Sequence, residues 1–157
     1  MVKPKKLNPK SRIGIVSPSY WLDKNDLKQS VKYFSNLGYK IEIGRSNYLK
    51  DGPFAGTAQE RADDINEMFS DPDIDAIFCA RGGYGANKVL PLIDYENIRS
   101  NPKIFLGYSD ITAYLTSITQ KTDLVTFHGP MLSSFSKEFV QYNYESMMNL
   151  SLIHISE

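Results

Sequence analysis

Apolar positions along the chain switch between two periods. "RIGIVSP" (12–18) is a short β-branched run closed by Pro18, which reads as a strand. In "NDLKQSVKYFSNLG" (25–38), Leu27, Val31, Phe34 and Leu37 fall at helical spacing, with Asn25 suited to cap the helix and Gly38 to stop it. "YKIEIG" (39–44) is the next strand, and residues 45–56, rich in Asn, Asp, Pro and Gly, read as a loop. Thr57 and Glu60 have the spacing of a capping box, in which hydroxyl and carboxylate satisfy the first free amides reciprocally. The helix they open carries Ala62, Ile65, Met68 and Phe69 on one face. A strand over 74–80 runs into glycines, and a helix starts near Ala86. A turn over Asp94–Pro102, a strand over 103–107, a helix from Asp110, a strand over 124–130 and a last helical pattern from Ser136 to Leu150 complete the chain.

Strand alternating with helix predicts βαβ units, hence an α/β fold with an open, mostly parallel sheet flanked by helices. Ligands of such sheets sit beyond the carboxyl ends of the strands. Three strands here end in "ARGGYG", "GYSD" and "FHGP", so small, polar and reactive residues collect at one rim. A parallel sheet whose last elements are missing leaves an unpaired edge, and the expectation is a piece of a longer protein. The expected organisation is a frayed terminus over 1–11, one domain over 12–150, and a non-native tail over 151–157.

Composition narrows the function classes. Eighteen basic and eighteen acidic residues cancel, which leaves no electrostatic footprint for nucleic acid or an anionic membrane. Lys3, Lys5, Lys6 and Lys10 make only the N-terminus locally basic. No stretch approaches the ~20 apolar residues of a membrane span, and no signal-peptide core follows the basic terminus. The single cysteine, Cys79, excludes an internal disulfide and sits in an apolar run, as a small buried hydrophobe does. A cytoplasmic location is the expectation.

Three segments carry candidate chemistry. Ser109 stands at a strand-to-helix junction, where a serine is either a nucleophile or a helix cap. Gly107 fits the first position of a G-x-S-x-G elbow, but Ile111 stands where the second glycine belongs. The amide of Asp110 and the positive end of the helix can stabilise an oxyanion there. "RGGYG" (81–85) offers unobstructed amides for a phosphate or an oxyanion, or is simply a tight turn; it matches neither a dinucleotide fingerprint nor a P-loop. His128 lies on the same rim, as a partner of Ser109 or as a structural residue. Tyr84 and Tyr108 are rim aromatics able to shape a pocket. His128 and His154, without clustered acids or cysteines, do not make a metal site.

The segments "AGTAQERADDINEMFSDPDIDAIFCARGGYGANKVLPLIDY", "NPKIFLGYSDITAYL" and "TFHGPM" together resemble the LD-carboxypeptidase family of serine peptidases, over about Arg12 to Phe135. That family includes murein tetrapeptide carboxypeptidases and microcin C immunity proteins. The resemblance implies the N-terminal domain of a cytoplasmic, dimeric, two-domain hydrolase without metal or cofactor. It implies Ser109 as nucleophile, the amides of Asp110 and Gly83 as oxyanion hole, and Gly82, Tyr84 and Tyr108 in contact with substrate. His128 becomes structural or one shell out from the chemistry, because the family's catalytic histidine and its glutamate belong to the C-terminal domain, which this chain lacks. The implied substrate is a small peptide ending in a D-amino acid, with no nucleic acid and no membrane as partners, and the fragment alone is expected to be inactive. His154 in "SLIHISE" matches nothing in the family. The alternatives are an immunity-type amidase cutting aminoacyl-nucleotide analogues, a flavodoxin-like module that binds a small ligand without catalysis, and a degenerate scaffold.

Overall fold

The computed structural model describes residues 1–136 and 140–153. Five parallel strands form one sheet: β1 (Arg12–Val16), β2 (Lys40–Ile43), β3 (Ala76–Cys79), β4 (Ile104–Gly107) and β5 (Phe127–His128). Their spatial order is β2-β1-β3-β4-β5, the flavodoxin-like arrangement, in which the crossover direction reverses between β1 and β3. The α/β reading of the sequence is thus what the chain adopts.

The helices are α1 (Lys24–Asn36), α2 (Ala58–Ser70), α3 (Ala86–Val89), α4 (Tyr95–Ser100), α5 (Ile111–Thr122) and α6 (Val140–Ile153). Alternation along each strand feeds two cores. Ile13, Ile15, Ala76, Phe78, Ile104 and Leu106 pack with Phe34 of α1 and Met147 of α6. Ile77, Cys79 and Phe105 face the other way, against Ile65 and Phe69 of α2 and Tyr114 and Ile118 of α5. The central strands β3 and β4 are buried throughout, as parallel strands covered on both faces must be.

Several local expectations hold. Both halves of the Thr57–Glu60 capping box form, Gly38 follows α1 with φ +99°, and Cys79 is fully buried, which pushes its thiol pKa well up. Others shift. The cap of α1 is Asp23, whose carboxylate accepts from the Asn25 amide at 2.8 Å. The expected turn over 94–102 contains α4, capped by Asp94 through the Asn97 amide. Only Ile98 of that helix is buried, so no apolar period advertises it. A short 3₁₀ turn occupies Arg45–Tyr48 inside the predicted loop.

The strand expected over 124–130 shrinks to two residues. Leu124 instead pairs with Val2, which accepts from the Val125 amide and donates to the Asp123 carbonyl. Within residues 1–11, expected to fray, Val2 makes these bonds and Leu7 is buried in the α1-side core. His154 lies outside the described residues.

Candidate active site

The rim at the carboxyl ends of β1, β3, β4 and β5 holds all the sequence-derived candidates. β4 delivers Gly107, Tyr108, Ser109 and Asp110 before α5 begins. Ser109 is exposed, and its backbone lies in the left-handed region at φ +62°. A non-glycine residue there is strained, and a sharp strand-to-helix turn of this kind lifts a side chain off the sheet. Gly107 allows the turn because Ile111 folds back over it. The position where the elbow pattern asks for glycine is thus filled by a residue that packs against the first glycine.

Ser109 does not act as a helix cap. No side chain caps α5; the carbonyls of Tyr108, Ser109 and Asp110 accept from the first-turn amides instead. The Asp110 carboxylate turns away from its own helix, accepting from Ser19 Oγ at 2.6 Å and from the Ala86 amide at 3.2 Å.

The glycine loop lies alongside. A Cβ on Gly82 would stand 3.0 Å from Ser109 Cβ and 3.2 Å from its hydroxyl oxygen. Gly83 has φ +136°, and a Cβ on it would stand 2.4 Å from Cγ of the Tyr20 ring. Among the described residues the amides of Gly83 and Asp110 donate no hydrogen bond to backbone or side chain. Free amides beside an exposed serine at a helix start are donors of the type that can hold an oxyanion.

Aromatic rings frame the loop. Tyr84 is 74% exposed, and its ring lies 6.5 Å from that of Tyr20, which also meets Phe54 edge-on. The Arg81 guanidinium lies over Tyr20. On the other side Tyr108, 39% exposed, meets His128 at 6.3 Å. His128 is exposed at the end of β5, opposite Gly107, and among the described residues no hydrogen bond joins it to Ser109.

A buried layer supports the rim, and sequence reasoning missed it. The Pro18 carbonyl accepts from both Arg61 and Tyr114, at 2.9 and 2.8 Å. Arg61 is 3% exposed; burial lowers its pKa, while Tyr114, Asp110 and Asp51 favour its charge. Burial raises the Tyr114 pKa, so the hydroxyl stays a donor. The available signal was Arg61 itself, a charge on the 61/65/68 stripe of an amphipathic helix. Among the described residues no cluster of His, Cys, Asp and Glu suits a metal, and no helix is long and apolar enough to cross a membrane.

The model of the LD-carboxypeptidase N-terminal domain matches residues 13–129. The chain belongs to the LD-carboxypeptidase family. It is 42% identical over 132 residues to a probable murein peptide carboxypeptidase of Bacillus subtilis, covering 84% of this chain and 41% of that protein. It is 38% identical over 137 residues to the microcin C7 self-immunity protein MccF of Escherichia coli, covering 85% and 40%. A solved MccF structure in complex with aspartyl sulfamoyl adenosine superposes with a TM-score of 0.93 at 36% identity, over 96% of this chain and 47% of that one. The chain therefore spans under half the length of the LD-carboxypeptidase relatives it matches, as an N-terminal domain does.

Proposed function

We propose that this domain is the nucleophile-bearing half of a serine hydrolase that cleaves the amide before a C-terminal D-amino acid in LD-peptides of the murein tetrapeptide type. The observation that carries the reading is the strained, exposed Ser109, followed by the free amide of Asp110 and lying against the glycine loop that carries the free amide of Gly83. In this mechanism the Ser109 hydroxyl attacks the scissile carbonyl, the two amides hold the oxyanion, and water releases the acyl-enzyme. Gly82, Tyr84 and Tyr108 line the substrate's approach, and His128, edge-on to Tyr108, has a structural role.

The base is a histidine oriented by a glutamate, both supplied by the second half that the relatives possess. Without them a serine hydroxyl is a poor nucleophile at pH 7, and these 157 residues alone are inactive. The complete protein acts as a cytoplasmic dimer in peptidoglycan recycling and needs no cofactor.

The likeness to MccF bound to an aminoacyl sulfamoyl nucleoside supports a second reading, an immunity-type amidase with the same nucleophile. Hydrolysis of an L-Lys-D-Ala peptide against that of an aspartyl sulfamoyl adenosine, in a protein carrying this domain with its second half, divides the two. Loss of both activities in Ser109→Ala is expected; an activity indifferent to Ser109→Ala makes the domain a binding module or scaffold.

A further inference from the structure

We infer that the Asp110 side chain, joined to Ser19, is a positioning residue that holds the glycine loop in register with the Ser109 nucleophile. The inference rests on the hydrolase reading above and adds a role distinct from that of the Asp110 backbone amide.

A single carboxylate oxygen, Oδ2, accepts both the Ser19 hydroxyl and the Ala86 amide. Ser19 is fully buried in the segment that follows β1. Ala86 opens α3 directly after the glycine loop, and Asp110 follows the nucleophile. Three strand ends, those of β1, β3 and β4, thus converge on one atom.

The loop needs such an anchor. Gly82, Gly83 and Gly85 contribute no side chain with which to pack, and Gly83 and Gly85 both have positive φ. One end is fixed by Tyr20, whose amide donates to the Gly82 carbonyl at 3.3 Å and whose ring lies against Gly83. The other end is fixed at the Ala86 amide. The free Gly83 amide sits between the two anchors, both of which trace to the adjacent residues Ser19 and Tyr20.

An aspartate at a helix start ordinarily accepts from its own first-turn amides. Asp110 forgoes that bond. A negative charge beside an oxyanion site also opposes the reaction unless it is balanced. Buried Arg61, bonded to the carbonyl of Pro18 next to Ser19, supplies the balancing charge and is in turn stabilised by Asp110. The carboxylate touches no reacting atom; it acts through the loop.

The test uses the complete protein, domain plus second half, with an L-Lys-D-Ala-terminated tetrapeptide as substrate. Asp110→Ala is expected to lower kcat ~10²-fold with KM within about threefold, as misplacement of a catalytic group does. Asp110→Asn keeps an oxygen able to accept both bonds and is expected to recover most of that loss, and Ser19→Ala to fall between. Hydrogen exchange at the Ala86 amide, read without substrate, is expected to quicken roughly tenfold in Asp110→Ala, the equivalent of one net hydrogen bond.

Unchanged kcat in Asp110→Ala, or a lower Tm with kcat per folded molecule intact, overturns the inference. So does an Asn variant as impaired as the Ala variant, or an Ala86 amide indifferent to both. A wild-type protein that cleaves nothing, yet whose Ala86 amide is released by Asp110→Ala, removes the hydrolase reading and leaves the anchoring of the glycine loop by Asp110 standing.

Discussion

Ile111 fills the space that a side chain on Gly107 would need. A Cβ there would lie 2.6 Å from Ile111 Cγ2 and 3.0 Å from Ile111 Cβ, and Ile111 is fully buried. The branched atom cannot swing clear without leaving the core. Gly107→Ala is therefore expected to cost about 1–3 kcal/mol by overpacking. Adding Ile111→Ala should make the double variant less unstable than the sum of the singles. Urea unfolding of the four proteins measures both effects.

Strain at Ser109 separates stability from activity. With φ at +62°, Ser109→Gly relieves a backbone that Ser109→Ala leaves strained. The glycine variant is expected to be more stable than the alanine variant by about 1 kcal/mol, although both lack the proposed nucleophilic hydroxyl. Equal stability of the two would mean that the turn is not held open by its surroundings. Thermal unfolding of the pair reads the difference directly.

The sheet and the position of the rim were legible in the sequence because strand and helix periods alternate cleanly and three strands end in glycine-rich polar segments. The chain order of those ends placed Ser109, the glycine loop and His128 on one side. The periods could not show Ser19, Tyr20, Arg61 and Tyr114 converging, since their bonds span 43 to 96 residues of sequence. Nor could they show α4, which buries one residue, or the pairing of Val2 with Leu124, which depends on two distant segments meeting at the sheet edge.

The shared Pro18 carbonyl predicts unequal losses. Tyr114→Phe removes one of two donors and leaves Arg61 in place, so it should cost about 1 kcal/mol. Arg61→Lys keeps the charge but not the fork that reaches Pro18 and Thr57 together, and should cost about 2–3 kcal/mol. The two losses should not add, because both variants weaken the same acceptor. A double-mutant cycle by chemical denaturation measures the coupling.

Asp64 gives a pH signature. Its carboxylate is 3% exposed, and burial raises its pKa above the ordinary value even though it accepts from the Ser46 hydroxyl and the amides of Arg45 and Ser46. The folded state then binds a proton more readily than the unfolded chain. The stability from that proton is fully present below the unfolded pKa of about 3.9 and is lost as pH rises through the higher folded value. Asp64→Asn cannot titrate. The difference in stability between wild type and this variant should therefore favour wild type most at the acid end and shrink towards neutral pH.

The most direct measurement is covalent. A protein carrying this domain with its second half is treated with a fluorophosphonate probe, and adducts are mapped by peptide mass while hydrolysis of an L-Lys-D-Ala peptide is followed. One adduct on Ser109, accumulating in step with the loss of hydrolysis and absent from Ser109→Ala, is the predicted result. Hydrolysis that persists with Ser109 fully modified, or inactivation that tracks an adduct elsewhere, would contradict the assignment of Ser109 as the nucleophile.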